Sequence, residues 1–411
     1  MPCRVEPTRL GGTINIHFQC SGCEMRSVSF QGSSFVKGSK RTVVGLALGV
    51  AFFLTGHGFA NFERTLKQCL GISCISKNRY YDIIKLAYPD LKAILDGMCD
   101  EEKEEMKSLT DGDLGSWKRA VVTSDGVWHT RGHFSKNGSF VIRNYMTGGL
   151  LWYGHKCMRG NDDVVDEDLY EGTAKSMEGV LSDECYGQAK VEGCSVEVMW
   201  QDGDSSSAKS VAKHHPDGKV YKCGGHVGRA HANSLKEAAK KREFSSDIKT
   251  KYKDKFPQVL TAKCQCTRHR AGCGCMSDAF IKGARINHFC CLQQCQNPTE
   301  YATRLRNLSN YHVKDIHEWE DGNCDFHPSK MCTCKKCDGD EDPECEGSPY
   351  KTKHPLSCEY HWLAYVLECE KRAGEADSVI HPTMSRGHSN LCEAGFTVLP
   401  LFRSKTQSLC R

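Results

Sequence analysis

The chain has 411 residues, which is long enough for a large buried core and for two or three domains. Hydrophobic residues make up 39% of the sequence and charged residues 26%, which excludes a wholly disordered chain and a membrane protein built of apolar helices. The formal net charge of +4 is too small to indicate a polyanionic partner by itself.

Cysteine is unusually frequent, with 26 residues alongside 18 histidines. The first residues lack the basic and apolar stretches of a secretory signal, so we do not expect secretion. In a reducing compartment, this many thiols and imidazoles indicate metal ligands rather than disulfides, and zinc is the expected ion.

The first two predicted segments are a cysteine-containing segment at 1–40 and a helical accessory domain at 41–112. The pair Cys20-Ser-Gly-Cys23 with the nearby His17 is the pattern of half a zinc site, and because no matching second pair lies close, its other ligands would come from beyond this stretch. Cys3 lies in the same segment.

The helical prediction for 41–112 depends on apolar spacing. An apolar run at 43–54 is too short to span a bilayer, and apolar residues at helical spacing follow it. Further helices are expected at 80–86 and 90–95, with these apolar stripes buried in a core.

At residue 113 the predicted structure changes to a mixed α/β (α+β) core, whose first part is 113–263. The pattern predicts strands at 119–124, 139–146 and 149–155, a helix at 166–182, a strand at 195–201, a helix at 206–214, a strand at 219–222 and a basic helix at 228–241. Three adjacent strands followed by helix, strand, helix and strand is the order of a ribonuclease-H-like fold, although unrelated mixed sheets share it.

Two of these strands are predicted to end on acids. Asp125 follows the first strand and is either a metal ligand or part of an Asp-Gly turn. Asp202 and Asp204 follow the fourth strand as ligands or as a turn with a helix cap, and we prefer Asp202 because it directly ends the apolar run. Cys223-Gly-Gly-His226 is either a metal-ligand pair or a buried thiol with a capping histidine.

Residues 264–380 form a Cys/His-rich segment that is expected to bind two or three structural zinc ions. Such a segment is expected to have little apolar core of its own. Its candidate ligands are Cys264, Cys266, His269, Cys273, Cys275, His288, Cys290, Cys291, Cys295, Cys324, His327, Cys332, Cys334, Cys337, Cys345, Cys358 and His361.

Charge is unevenly distributed along the chain. Residues 162–184 hold nine acids against one base, whereas 222–285 hold fifteen bases against five acids. The second block either faces a polyanion or is a solvated helix face. The last segment, 381–411, is predicted to return to helix and carries Glu393.

Taken in order, these motifs resemble the Mutator-like transposase domain of animal genes derived from DNA transposons. The resemblance lies in Ser124-Asp125-Gly-x-Trp128-x-x-Arg131-Gly132, Asp202-Gly-Asp204-Ser205, Cys223-x-x-His226, Trp319-Glu320-Asp321-Gly322 and Ser389-Asn390-x-x-Glu393. It implies a ribonuclease-H-like catalytic core interrupted by the zinc-binding insertion. By position, Asp125, Asp202 and Glu393 would be the DDE triad, and Cys223 and His226 the family's CxxH ligands.

The resemblance also implies a function. Two Mg²⁺ (or Mn²⁺) ions about 4 Å apart would bind the carboxylates for DNA strand cleavage and strand transfer in transposition and DNA recombination. Double-stranded DNA is the expected partner, the nucleus the expected location, and a homo-oligomer is compatible with this.

Two other functions fit the same residues. The chain ends at Arg411, soon after Glu393, which favours a transposase-derived protein that is catalytically inactive and binds DNA or chromatin through a zinc-stabilised fold. A Cys-rich module that makes only protein contacts would have no affinity for DNA, which the basic block disfavours.

Overall fold

The structure is a computed structural model. It describes residues 3–10, 13–20, 27–37, 39, 41–54, 58–70, 74–128, 137–158, 169–203, 205–266, 275–320, 322–324, 330–331, 348–349, 351–389 and 392. By contact density the chain divides into two compact units. Unit 1 is Met1–Met199, Ser205–Gly218 and Asn390–Arg411, and unit 2 is Trp200–Asp204 and Lys219–Ser389.

Unit 1 begins with a three-stranded antiparallel sheet of β1 (Cys3–Leu10), β2 (Thr13–Cys20) and β3 (Ser27–Gln31). The register pairs Cys3 of β1 with Cys20 of β2, so the backbones of these two cysteines are neighbours. Cys23 lies outside the described residues.

A helical region follows, as predicted. It consists of α1 (Val43–Leu54), α2 (Phe59–Glu63), a π-helical turn at Arg64–Cys69 and α3 (Lys77–Ser108). The predicted apolar stripe is confirmed as core, since Phe62 and Leu66 are buried against Tyr80.

The prediction of two short helices at 80–86 and 90–95 is wrong. A single helix, α3, runs through Pro89, and the side chain of Ser76 caps it by accepting a hydrogen bond from the N–H of Arg79. Proline removes one helical hydrogen bond, and the buried residues of α3 lie away from it, at Tyr80, Ile83 and Ile84 before it and at Cys99, Lys103 and Met106 after it.

The central sheet contains five strands in the order β6-β5-β4-β7-β8. Its elements are β4 (Ala120–Trp128), β5 (Asn137–Asn144), β6 (Leu150–Cys157), α4 (Ala174–Val191), β7 (Val196–Gln201), α5 (Ser205–His214) and β8 (Lys219–Lys222). The strands β4, β5 and β6 are antiparallel. Ser195 donates to the carbonyl of Trp117 and accepts from the N–H of Ala120, as in parallel pairing, so the sheet is mixed.

Several predicted boundaries in this region are wrong, among them the end of the helix predicted at 166–182, which runs on to Val191. The first strand does not stop at Asp125-Gly126, because β5 continues to pair with β4 as far as Trp128. The helix predicted from 166 begins only at Ala174, where Thr173 and Ser176 form a capping box.

Helix α4 covers one face of the sheet. The Tyr186 hydroxyl donates to the Oγ of Ser124 at 2.9 Å, and a Cβ on Gly126 would lie 2.8 Å from the side chain of Glu178. Ser182 and Ser210 bond to each other at 2.7 Å, which ties α4 to α5. Alternation along β4 therefore points Asp125 to the opposite face.

Unit 2 is mainly helical. Its helices are α6 (Gly224–Lys240), α7 (Ser246–Tyr252), α8 (Asp278–Gln294), α9 (Pro298–Asn310) and α10 (Glu359–Gly374), with 3-10 turns at Pro257–Leu260, His312–Lys314 and Ala376–Ser378. Two-residue strands pair Glu318–Trp319 with Gly322–Asn323, Lys330–Met331 with Ser348–Pro349, and Ile380–His381 with Ser385–Arg386.

The expectation that the Cys/His-rich segment has little apolar core is wrong. Leu292, Tyr301, Leu305 and Leu308 from α8 and α9 are buried in one cluster with Tyr365 of α10. Among the described residues, no helix is both long and apolar enough to cross a membrane.

Candidate functional site

Asp125 lies inside β4, directly opposite Val141 of β5. Its side chain is half-buried, and its Oδ1 accepts a hydrogen bond from the N–H of Gly126 at 2.8 Å. Directly opposed residues of antiparallel strands share a face, and so do residues two apart on one strand. Asp125 therefore shares its face with Thr123, Val127 and Val141.

Cys392 packs against that same face. Its thiol is fully buried and lies 3.8 Å from the Oγ1 of Thr123. It clusters with Val141, with Val127 and Tyr153 partly buried around it. The residue that precedes Glu393 in the sequence is thus held on the Asp125 face of the sheet, while Glu393 itself lies outside the described residues.

Asp202 directly follows β7 and is exposed. The next residue, Gly203, has φ +102°, a conformation that favours glycine and turns the chain toward α5. Asp204 lies outside the described residues, so the choice between Asp202 and Asp204 stays a prediction.

Cys223 and His226 lie at the start of α6, where Cys223 is the N-terminal cap residue. Burial raises the pKa of the Cys223 thiol, but hydrogen bonds with His226 and Ser389 outweigh it and lower that pKa to about 7. The hydrogen bond with Cys223 raises the pKa of His226. Thiolate and imidazolium character therefore reinforce each other in this pair.

The densest ligand group in the described part of the chain is formed by Cys264, Cys275, Cys358 and His361. All four are buried, and their ligand atoms lie within 4.8 Å of one another. The Sγ atoms of Cys264 and Cys275 are 3.4 Å apart, and the Nδ1 of His361 is 3.2 Å from the Sγ of Cys358.

These distances fit a tetrahedral metal better than a disulfide. A disulfide has an S–S bond of about 2.0 Å, whereas zinc with Zn–S bonds of about 2.3 Å places its sulfur ligands about 3.8 Å apart. Three thiols and one imidazole match the soft donor set that zinc prefers, so this group, which we call the Cys3His centre, could bind zinc.

Three segments of the chain supply the four ligands, and Cys275 comes from the segment just before α8. Cys264 follows the bridge between Glu243 and Lys263, and its N–H donates to the carbonyl of Arg242 at 2.7 Å. Cys358 is the N-terminal cap residue of α10, and His361 lies in the first turn of that helix. An apolar cluster that includes Phe244, Tyr360 and Leu363 surrounds them. Burial raises the pKa of the Cys358 thiol, and the neighbouring Cys264 adds to this, so a bound cation would offset the cost of ionising these thiols.

Other predicted ligands are not brought together. His288, Cys290, Cys291 and Cys295 lie on or just after α8, and none belongs to a group of three or more possible ligands among the described residues. His288 bonds instead to the hydroxyl of Tyr301 at 2.8 Å. Cys266 is described but is also outside such a group. The remaining predicted ligands lie outside the described residues: His269, Cys273, His327, Cys332, Cys334, Cys337 and Cys345.

Sequence reasoning missed two histidines. His312 and His317 lie with Cys324 in a second buried group, whose ligand atoms are also within 4.8 Å of one another. Of these three, only Cys324 was predicted as a ligand. The signal that could have found the others is His312-x4-His317-x6-Cys324, which contains no cysteine pair to mark its start.

Comparisons with known proteins supply one strong match. The sequence profile of the Mutator-like transposase family matches residues 3–302. A comparison with curated protein sequences gives no match. Among solved structures, the chain is similar to a "Drosophila P element transposase strand transfer complex", at 10% identity and a TM-score of 0.31, over 91% of this chain and 95% of that chain. The family match covers most of this chain, whereas the structural similarity is too weak to support a conclusion.

Proposed function

The chain belongs to the Mutator-like transposase family, and from that premise we propose that it is a DDE transposase that cuts and joins DNA strands. Asp125, Asp202 and Glu393 are its proposed acids. The core that carries them is proposed to be ribonuclease-H-like.

The sheet supports this proposal through its order. If β4 is counted as the first strand, the order across the sheet is 3-2-1-4-5. Helix α4 follows the third of these strands, β6, and helix α5 follows the fourth, β7. Asp125 lies in the first of these strands, and Asp202 follows the fourth, which neighbours it in the sheet. Rigid strands fix carboxylates more firmly than loops do, which suits residues that must hold a fixed geometry.

The observation that carries the third acid is the position of Cys392. Its burial against Thr123 and Val141 fixes the chain one residue before Glu393 on the face of β4 to which Asp125 points. Two acids from sequence positions this far apart are therefore proposed to serve one site.

The donor chemistry fits a divalent cation. Asp125, Asp202 and Glu393 would hold Mg²⁺ or Mn²⁺ through hard carboxylate oxygens, in contrast to the thiol-rich Cys3His centre. When bound, such ions supply an activated oxygen nucleophile and neutralise charge on the phosphodiester. The role of the chain is to place the three carboxylates.

Unit 2 supports the same function in two ways. We propose that the Cys3His centre holds a structural zinc ion that fixes the start of α10. Exposed bases along and after α6, including Lys236, Lys241 and Arg242, are proposed to contact DNA phosphates. A nuclear location follows from a DNA substrate and is part of the proposal.

The test is a nicking assay on labelled duplex DNA that carries the repeats flanking the gene, with Mg²⁺ or Mn²⁺ against EDTA. Wild type is compared with Glu393→Gln, Asp202→Asn and Asp204→Asn. The matched control is Asp217→Asn, which changes an exposed aspartate in the turn between α5 and β8.

We expect metal-dependent nicking by wild type and the control, and its loss in Glu393→Gln. Loss in only one of the Asp202 and Asp204 variants would identify the second acid. Salt-dependent binding without any nicking would overturn the catalytic proposal and leave the alternative, a zinc-stabilised DNA-binding protein that does not cut.

A further inference from the structure

We propose that His312, His317 and Cys324 form a second zinc site, separate from the Cys3His centre and independent of the proposed cleavage activity. His312 lies in the 3-10 turn after α9, His317 comes just before the two-residue strand Glu318–Trp319, and Cys324 directly follows the partner strand Gly322–Asn323. All three residues are buried, with 8%, 7% and 9% of the residue surface exposed for His312, His317 and Cys324, respectively.

The geometry of the group suits a single ion. The Nδ1 of His312 lies 3.3 Å from the Sγ of Cys324, and the two imidazole rings are 5.4 Å apart with planes at 74°. One thiol and two imidazoles are donors that zinc accepts, and a tetrahedral ion keeps one further position for another donor. The N–H of Cys324 also donates to the carbonyl of His317 at 2.9 Å, which holds the two ligands together through the backbone.

Asp315 orients one of the histidines. The Nε2 of His317 lies 3.0 Å from the Oδ1 of Asp315. Because a carboxylate only accepts, Nε2 carries the proton, and Nδ1 keeps its lone pair for a metal. Carboxylates in this position typically fix the tautomer and ring orientation of zinc-bound histidines.

The backbone holds Asp315 in place for this role. It has φ +64°, the only positive φ of a non-glycine residue among those described, and such conformations are retained where the surroundings enforce them. The N–H of Thr352 donates to the Asp315 carboxylate at 2.6 Å, and the Thr352 hydroxyl donates to the carbonyl of His312 at 2.9 Å. The ligand loop is thereby tied to the segment that leads into α10.

The site would have a structural role in unit 2. Leu356 donates its N–H to the carbonyl of Val313, and Lys314 lies over the ring of Trp362 in α10. A metal on His312, His317 and Cys324 would fix the segment after α9 against the approach to α10. That helix supplies Cys358 as its N-terminal cap and His361 in its first turn.

The test is the zinc content of the purified full chain, measured per chain by mass spectrometry after removal of loosely bound metal. His312→Ala and His317→Ala should each contain one zinc ion fewer than wild type. Cys358→Ser should also lose one, and the combined His317→Ala/Cys358→Ser variant should lose two. His354→Ala, which changes an exposed histidine of the same unit, is the control and should keep the wild-type content.

Asp315→Asn gives a second readout if the alanine variants fail to fold, because asparagine tolerates positive φ. We expect its zinc affinity at this site to fall by about 10-fold or more, measured by competition with a chelating dye. Folded His312→Ala and His317→Ala proteins with unchanged zinc content would overturn the proposal, as would an unchanged affinity in Asp315→Asn. Nicking activity plays no part in these readouts, so failure here is distinct from failure of the transposase proposal.

Discussion

The Sγ of Cys392 lies 3.8 Å from the Oγ1 of Thr123, on the side of β4 opposite to helix α4. This contact leads to a prediction for a residue that is not itself an acid. Cys392→Phe should destabilise unit 1 by about 1–3 kcal/mol, because a phenyl ring does not fit the fully buried position. It should also reduce nicking by displacing the chain before Glu393.

Denaturant unfolding and the nicking assay measure the two effects. Cys392→Ala is the matched control, since it leaves the chain path intact and should keep most of the nicking activity. Equal nicking rates for Cys392→Phe and wild type would show that the contact between Cys392 and Thr123 does not position the proposed third acid.

Asp125→Ala should abolish strand cleavage while leaving DNA affinity nearly unchanged. The carboxylate is proposed to bind metal, whereas affinity is expected to come from phosphate contacts elsewhere. Nicking and a filter-binding titration under the same salt conditions check both parts. An unchanged cleavage rate would rule out Asp125 as a member of the triad.

His361→Ala should remove one zinc ion and lower the free energy of unfolding by more than about 3 kcal/mol, since structural zinc binding contributes directly to folding. Metal analysis and thermal unfolding with and without a chelator are the measurements. Wild-type protein should become less stable with chelator, whereas a stability independent of both chelator and His361 would contradict the assignment.

The stability of unit 1 should depend on pH through His215. The N–H of Val196 donates to Nδ1 of this histidine, and its Nε2 donates to the carbonyl of Tyr186. Burial lowers the pKa of His215, with the nearby His214 and Lys190 acting in the same direction, against the hydrogen bond to Tyr186. A second proton on Nδ1 would face the Val196 N–H, so the folded state keeps this ring neutral.

The sign of the effect follows from linkage. The unfolded state binds the proton with a pKa of about 6.5, so stability is fully present above that pH and falls as the pH drops toward the lower folded value. In His215→Asn, the side-chain oxygen can still accept from the N–H of Val196. This variant should be less stable than wild type at pH 7.5, but its free energy of unfolding should fall less than that of wild type between pH 7.5 and 5.5. A loss as large as that of wild type would show that another group is responsible.

Lys241→Ala and Arg242→Ala should weaken DNA binding equally on all sequences. If each side chain contacts one phosphate, each substitution reduces the slope of log affinity against log salt by about 1. The control is Lys67→Ala in the helical region of unit 1, where Lys67 pairs with Glu63. If the slope of log affinity against log salt is unchanged in both variants, Lys241 and Arg242 do not contact DNA phosphates, and the basic block is a solvated surface.

The sequence predicts some elements closely because their local signals agree. The strand at 196–201 and the helix after it have an alternating apolar run and a serine-rich start, and both are found within one residue of their predicted limits. The extent of β4 depends instead on a distant strand, since β5 supplies the partners that carry it past Asp125 and Gly126. The Asp125-Gly126 pair in the sequence therefore cannot show how far β4 extends.

Ligand grouping was harder to predict than ligand type. Cys264, Cys275, Cys358 and His361 were all predicted to bind metal, but their separation in the sequence gave no basis for joining them. His312 and His317 escaped prediction because they carry no cysteine motif, and the folded loop alone brings them to Cys324. Spacing identifies local pairs, whereas a centre assembled from distant segments requires the fold.

The Cys3His centre joins segments on both sides of a long stretch of chain between Cys275 and Cys358. When a crosslink closes a loop, each doubling of the loop length costs only about 0.6 kcal/mol in entropy. Entropy alone therefore sets little limit on the length of that stretch. The packed residues of α8 and α9 and the second ligand group do set one, because Leu292, Tyr301 and Leu308 are buried in one cluster. Related chains should therefore differ most in length between Cys324 and Thr352, beyond the last ligand of the second group.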